Sequence, residues 1–182
     1  MRTITIAPML VLIAVLPFIV ACDAEDSVSG RVDGGTGTIN VHLTDAPIDI
    51  ATVQSVTVTI EEVILYPREE LGGPIPLLTH PATFDLLTLT EGATALLASG
   101  EAPAGQYSRI RLRVSQATLL FKDGTSVDLK LEPEKVDVPI AFEVVRDAAG
   151  NVTLDFDAAA SVQVNETASG QWILRPVVTP VL

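Results

Sequence analysis

The chain has 182 residues, 23 acidic against 11 basic side chains and a net charge of −12, so it lacks the cationic surface that a nucleic-acid partner requires. One cysteine excludes an intramolecular disulfide, and two histidines make no cluster for zinc. Aromatic residues are scarce, at 4%, while Val, Thr, Leu and Ile abound, a balance that favours strands over helices.

Residues 1–21 carry one charge, Arg2, then an apolar core from Met9 to Val20, then small Ala21 before Cys22. These are the three regions of a secretory signal. A transmembrane helix fits less well: the uncharged run from Ile4 to Ala21 is barely long enough, Pro8 and Pro17 interrupt it, and no basic stop-transfer residues follow. Ile19-Val20-Ala21-Cys22 resembles the bacterial lipobox, which implies cleavage before Cys22 and acylation of that residue. Cys22 would then bear two or three acyl chains, palmitate-like, where a single chain gives only a marginal membrane hold. Asp23 directly after it resembles the inner-membrane retention signal of some Gram-negative bacteria. The expected location is extracytoplasmic, lipid-anchored at the cell membrane or the outer membrane.

Residues 22–37 hold Asp, Glu, Ser and Gly with few apolar side chains, and read as a flexible tether reaching roughly 20 Å. The body, residues 38–182, reads as one domain. Ile39, Val41 and Leu43 alternate with Asn40 and His42 as a half-buried strand, ended by Thr44-Asp45-Ala46-Pro47, where Asp45 suits an Asx-type turn. A second strand starts near Gln54, and its phase slips at Glu61-Glu62, the mark of a bulge. Residues 67–83 are rich in Pro and Gly and read as a long loop. Phe84–Leu89 reads as a strand, while 91–105 suits either a helical turn or a strand.

Ile110, Leu112 and Val114 alternate with Arg109, Arg111 and Arg113 in the clearest strand of the chain. Asp123-Gly124 between Ala117–Phe121 and Ser126–Leu131 predicts a hairpin. Further turns are expected at Gly150-Asn151 and Ala168-Ser169-Gly170. About eight to ten short strands, with no long helix, predict an all-β, mostly antiparallel β-sandwich of Greek-key or transthyretin/immunoglobulin-like type.

Several phrases resemble a family of bacterial and archaeal extracytoplasmic domains of unknown function that are often found on lipoproteins. They are Gly37 to Pro47, Thr83-Phe84-Asp85-Leu86-Leu87, Pro103 to Tyr107 running into Ile110-Arg111-Leu112, Leu154 to Ala158, and Leu174-Arg175-Pro176. They fall in the family's order across residues 37–178. The resemblance implies a β-sandwich outside the cytoplasm and supplies no catalytic or binding residues.

Candidate chemistry is sparse. A hydrolase of the Ser-His-Asp type needs a histidine beside a nucleophile, and His42 and His80 neighbour no such motif. No cofactor and no metal ligand set is expected, although Asp155 and Asp157, two residues apart on one strand face, suit calcium or a glycosidase pair as well as a solvated face. Glu61 and Glu62 are adjacent and in a regular strand point to opposite faces. The three arginines repel one another unless acids lie opposite, with Asp155, Asp157 or Asp128 as expected partners. Left unpaired, they would suit an anionic glycan or a partner's carboxylates; pairing all three internally removes that use. Trp172 and Tyr107 are candidates for a sugar-stacking platform. Asn151 and Asn165 match the N-glycosylation pattern and are read as turn residues. The function expected is a membrane-anchored, non-enzymatic binding or structural domain facing an envelope protein. The alternative is a carbohydrate-binding module.

Overall fold

The computed structural model describes residues 35–45, 52–68, 72–78, 80–165 and 171–181, with Val164 and Asn165 described by backbone alone. The signal segment, Cys22, Asp23 and the tether up to residue 34 lie outside the described residues, as do Ala46 and Pro47.

Strand β1 (Thr36–Thr44) begins two residues earlier than the tether reading allows. Thr36 O accepts the Asp147 N–H at 3.0 Å and Gly37 pairs with Ala102, so both already belong to the sheet. Its alternation places Ile39, Val41 and Leu43 inward, all essentially buried. Strand β2 (Val53–Pro67) does the same with Val56, Val58 and Ile60, then with Val63 and Leu65 after the phase slip. Two short strands pair with β2 where a loop was expected over 67–83: β3 (Ile75–Pro76) lies inside that stretch and β4 (Ala82–Asp85) begins in it.

The expected strand at 84–89 stops at Asp85. Asp85 Oδ1 accepts the N–H groups of Leu87 and Val56, both at 3.2 Å, and a 3-10 turn (Leu86–Leu89) follows with Leu86 and Leu89 buried. The ambiguous segment becomes β5 (Ala95–Pro103). Strand β6 (Gly105–Phe121) carries the arginines and turns through Asp123-Gly124 into β7 (Ser126–Asp128) as a hairpin. Gly124 sits at φ 87°, a conformation that favours glycine, and Asp123 Oδ1 accepts the Thr125 N–H at 2.8 Å.

Strands β8 (Lys130–Leu131) and β9 (Lys135–Val144) follow, then β10 (Ala149–Phe156) and a one-turn helix α1 (Ala158–Ser161). The turn between β9 and β10 is not a hairpin: β9 pairs β6 while β10 pairs β1, so the chain crosses between sheets there. Strands β11 (Val162–Asn165) and β12 (Gln171–Leu174) pair antiparallel, the turn expected at Ala168-Ser169-Gly170 lies outside the described residues, and β13 (Val178–Val181) ends the described chain.

The fold is all-β and largely antiparallel, with two larger sheets in a sandwich-like arrangement around one core. One sheet runs β13-β10-β1-β5; the other has β2 and β6 at its centre, flanked by β3, β4, β7 and β9; β11-β12-β8 form a third. Two pairings, β1 with β10 and β12 with β8, are parallel. Local hairpin signals carry no information about these, because the partners lie far apart in sequence. The core joins Ile39, Leu43, Ile60, Leu112, Leu154 and Phe156 across the sheets. Each fully buried side chain of this kind contributes about 1.5–3 kcal/mol.

Candidate functional site

The outer face of β6 gathers most of the charge chemistry. Arg111 donates from Nε to Asp137 Oδ1 at 2.7 Å and from Nη2 to Oδ2 at 2.8 Å, a bidentate pair across the β6–β9 register. Arg109 reaches Asp137 Oδ2 at 3.4 Å and lies over the Tyr66 ring, its guanidinium carbon 3.9 Å from the centroid. Arg111 also donates to the Tyr66 hydroxyl at 2.8 Å. The Arg111 hydrogen bonds, helped by the charges of Arg109 and Arg111, hold the Asp137 carboxyl below its usual range against the opposing effect of burial.

Arg113 meets two acids. Its Nη1 lies 3.4 Å from Glu62 and 3.7 Å from Glu61. This is possible because the β2–β6 register skips Ser115 on β6 and Glu61 on β2, so the slip of phase leaves both glutamates half-exposed instead of on opposite faces. The expected incompatibility of Glu61 with Glu62 holds only for a regular strand, and this one is bulged.

All three arginines are therefore paired internally, but not with the acids expected. Asp155 sits on β10, opposite Thr44 and Thr179, in the other sheet. Asp157 is not on a strand at all: it caps α1, its Oδ1 accepting the Ala160 N–H at 2.8 Å. Asp128 accepts from the Thr118 hydroxyl at 3.0 Å. With β10 ending at Phe156, Asp155 and Asp157 share no strand face. The signal that would have found Asp137 is the alternation Lys135, Asp137, Pro139 along β9. Tyr66 carried none, being placed by the bulge upstream of it.

Tyr107 is fully buried; its hydroxyl donates to Pro103 O at 2.9 Å and its ring stacks on Phe142 at 5.1 Å. The bond back to a carbonyl four residues upstream resembles the tyrosine corner of immunoglobulin-like sandwiches. Trp172 packs edge-on against Phe121 at 5.5 Å, partly buried. Tyr107 offers no face to a sugar, and the two aromatics form no joint platform.

The outer face of the β13-β10-β1-β5 sheet has a different character. Ser99 donates to Asn40 Oδ1 at 2.7 Å, and Asn40 donates to Asn151 Oδ1 at 3.1 Å, one polar rung spanning three strands. Asn151 is thus a strand residue, not a turn one, and Asn165 closes β11. The next rung is Leu96, His42, Thr153 and Val181, spanning all four strands, with Leu96 54% and Val181 50% exposed. Among the described residues of this face only Glu101 and Asp155 are acidic, and none is Lys or Arg.

Between the sheets, Asp45 is buried and its Oδ1 accepts the Ala158 N–H at 2.9 Å. The turn expected after Asp45 runs into residues outside the described ones, while Asp45 Oδ1 reaches the start of α1 from across the chain. Ser161, also buried, donates to Asp157 O and accepts the Val177 N–H at 2.8 Å, so its hydroxyl is committed to structure. No group of three or more His, Cys, Asp and Glu arranged to hold a metal is present among the described residues. No helix of the described residues is long and apolar enough to cross a membrane.

The model of the family described as "Domain of unknown function (DUF4382)" matches residues 36–176, from the first residue of β1 to just past β12. The chain belongs to this family. The match covers every described strand except β13 (Val178–Val181), and it includes both Asp45 and Ala158. No curated protein and no solved structure matches the chain.

Proposed function

We propose that this DUF4382 protein is a membrane-anchored envelope lipoprotein whose β-sandwich is a non-enzymatic binding domain for another protein. The anchor reading rests on Ile19-Val20-Ala21-Cys22 after an uncharged apolar run. It places Cys22 at the membrane and the domain outside the cytoplasm, at the end of a polar tether.

The observation that carries the binding reading is the Leu96–His42–Thr153–Val181 rung. In a domain where residues 22–182 bear 23 acids and ten bases, a four-stranded face with exposed aliphatic ends and almost no charge is what a protein partner desolvates cheaply. The arginine face supports binding less, because its guanidinium groups are already matched to Asp137, Glu61 and Glu62.

The test uses a photo-crosslinking side chain placed at Leu96, Thr153 or Val181 in cells. One discrete protein adduct from these positions, absent from the same probe at Thr57 on the other sheet, is the expected result. Adducts from neither sheet, or equally from both, overturn the binding reading. Separately, Cys22→Ser should abolish acyl labelling and release the protein from membranes; a variant that stays anchored overturns the lipoprotein reading.

A further inference from the structure

Edge strands present a row of unpaired backbone donors and acceptors, and folded proteins blunt them by shortness, proline or charge. Nearly every described edge of this molecule follows that rule. Strand β13 is four residues long and contains Pro180; β3, β4, β7, β8 and β11 have four residues or fewer. Strand β9 is longer, ten residues, and carries Lys135, Asp137, Pro139 and Glu143.

Strand β5 breaks the rule. It has nine residues, no basic side chain, one acid (Glu101), and its sole proline at the last position. It closes its sheet beyond β1, and among the described residues no strand pairs with its outer edge. A bulge opposite Val41–His42 disturbs only its start; from Ala98 to Pro103 the register with β1 is regular. Its inward side is small (Ala98, Gly100, Ala102), with Leu77 packed so close that a Cβ on Gly100 would lie 3.1 Å from it.

The chemistry of that strand follows from charge. Glu101 points outward on β5 opposite Thr38, and it borders an open recess of about 390 Å³ that lies over β1, away from the free edge, with Thr36 and Asp147. The whole chain is strongly acidic, at −12, and β5 bears no cation. A second copy of this chain would bring the same acids to the same edge. We infer that the β5 edge receives an extended segment of a partner protein that carries a Lys or Arg across from Glu101. This deepens the proposed binding function and rests on it: main-chain hydrogen bonds give affinity, and Glu101 selects the basic residue.

The test is amide hydrogen exchange on the full chain in detergent micelles, with two synthetic peptides of about six alternating Val and Thr residues. One peptide ends in two lysines and the other in two glutamates. The lysine-ended peptide should slow exchange of the Leu96–Ala102 amides at least tenfold, and the glutamate-ended one should not. Glu101→Lys should reverse that preference while leaving exchange in β2 and β6 unchanged. No protection of β5 by either peptide, or protection indifferent to Glu101→Lys, overturns the inference. So does protection of β5 without peptide that grows with protein concentration, which makes a second copy the occupant. Crosslinks at Leu96 with no β5 protection sink strand addition alone; crosslinks from neither sheet sink the wider binding reading.

Discussion

Asp45 and Ala158 lie 113 positions apart, yet the Asp45 carboxylate accepts the Ala158 backbone N–H at 2.9 Å inside the domain. The contact joins the end of β1 to the start of α1, and Asp157 N donates to Val177 O beside it. Three separated segments are thereby fixed at one corner. Replacing Asp45 by Ala leaves the first N–H of α1 buried without that acceptor, which costs about 1–3 kcal/mol. Asp45→Asn keeps an oxygen acceptor and should cost less. Urea unfolding checks both: the midpoint should fall in the order wild type, Asn, Ala, with an unchanged slope.

The Tyr107 hydroxyl gives a second prediction. Tyr107→Phe removes one buried hydrogen bond to Pro103 O and should destabilise by about 1 kcal/mol. Burial pushes the phenol pKa above 10.0. A raised pKa contributes stability that is fully present below the unfolded value and is lost as pH rises through the folded one. The wild type should therefore lose stability more steeply than Tyr107→Phe at alkaline pH above that value. Parallel denaturation curves for the two proteins across that range would refute the assignment.

Asp137 titrates in the opposite sense. Its pKa is lowered, first by the Arg111 hydrogen bond, so its contribution is present above the unfolded carboxylate value near 3.8 and fades as pH falls below it. The stability gap between wild type and Asp137→Asn should be open at neutral pH and shrink through that acidic window. Salt should narrow it too, because Asp137 and both arginines are partly exposed. Carboxyl chemical shifts followed by NMR would show Asp137 titrating below the ordinary carboxylate range.

Gly37 tests the packing at the start of β1. A Cβ there would lie 2.1 Å from Val145 O, a backbone atom that cannot swing aside. Gly37→Ala should cost roughly 1–3 kcal/mol or more, as overpacking does. It should also raise amide exchange at Thr38 and Asp147, whose N–H groups bond Ala148 O and Thr36 O across the same junction. An alanine variant of wild-type stability would show that the junction shifts freely.

Much of the fold was legible because period-two alternation is a local property. Ile39-Val41-Leu43 and Ile110-Leu112-Val114 bury the faces their pattern predicts, and Asp123-Gly124 turns where its backbone preference directs. The slip at Glu61-Glu62 marked a bulge correctly, but its consequence did not show in the sequence. Only the pairing with β6 puts both glutamates beside Arg113. Phe84–Leu89 misled for a related reason: Asp85 reaches Val56 and Leu87 N–H groups at once, which turns the chain and buries Leu86 in a 3-10 geometry.

The sequence by itself determined the class of fold and the inward faces of the long strands, since each follows from neighbours within a few residues. Tertiary structure alone decided who meets whom. It set Asp137, not Asp155 or Asp157, against the arginines, brought the Asp45 carboxylate to the Ala158 N–H, and laid β10 parallel to β1. It also left β5 at the rim of its sheet. Those outcomes depend on strand order, and strand order is fixed by how two sheets close on one core, which no local pattern encodes.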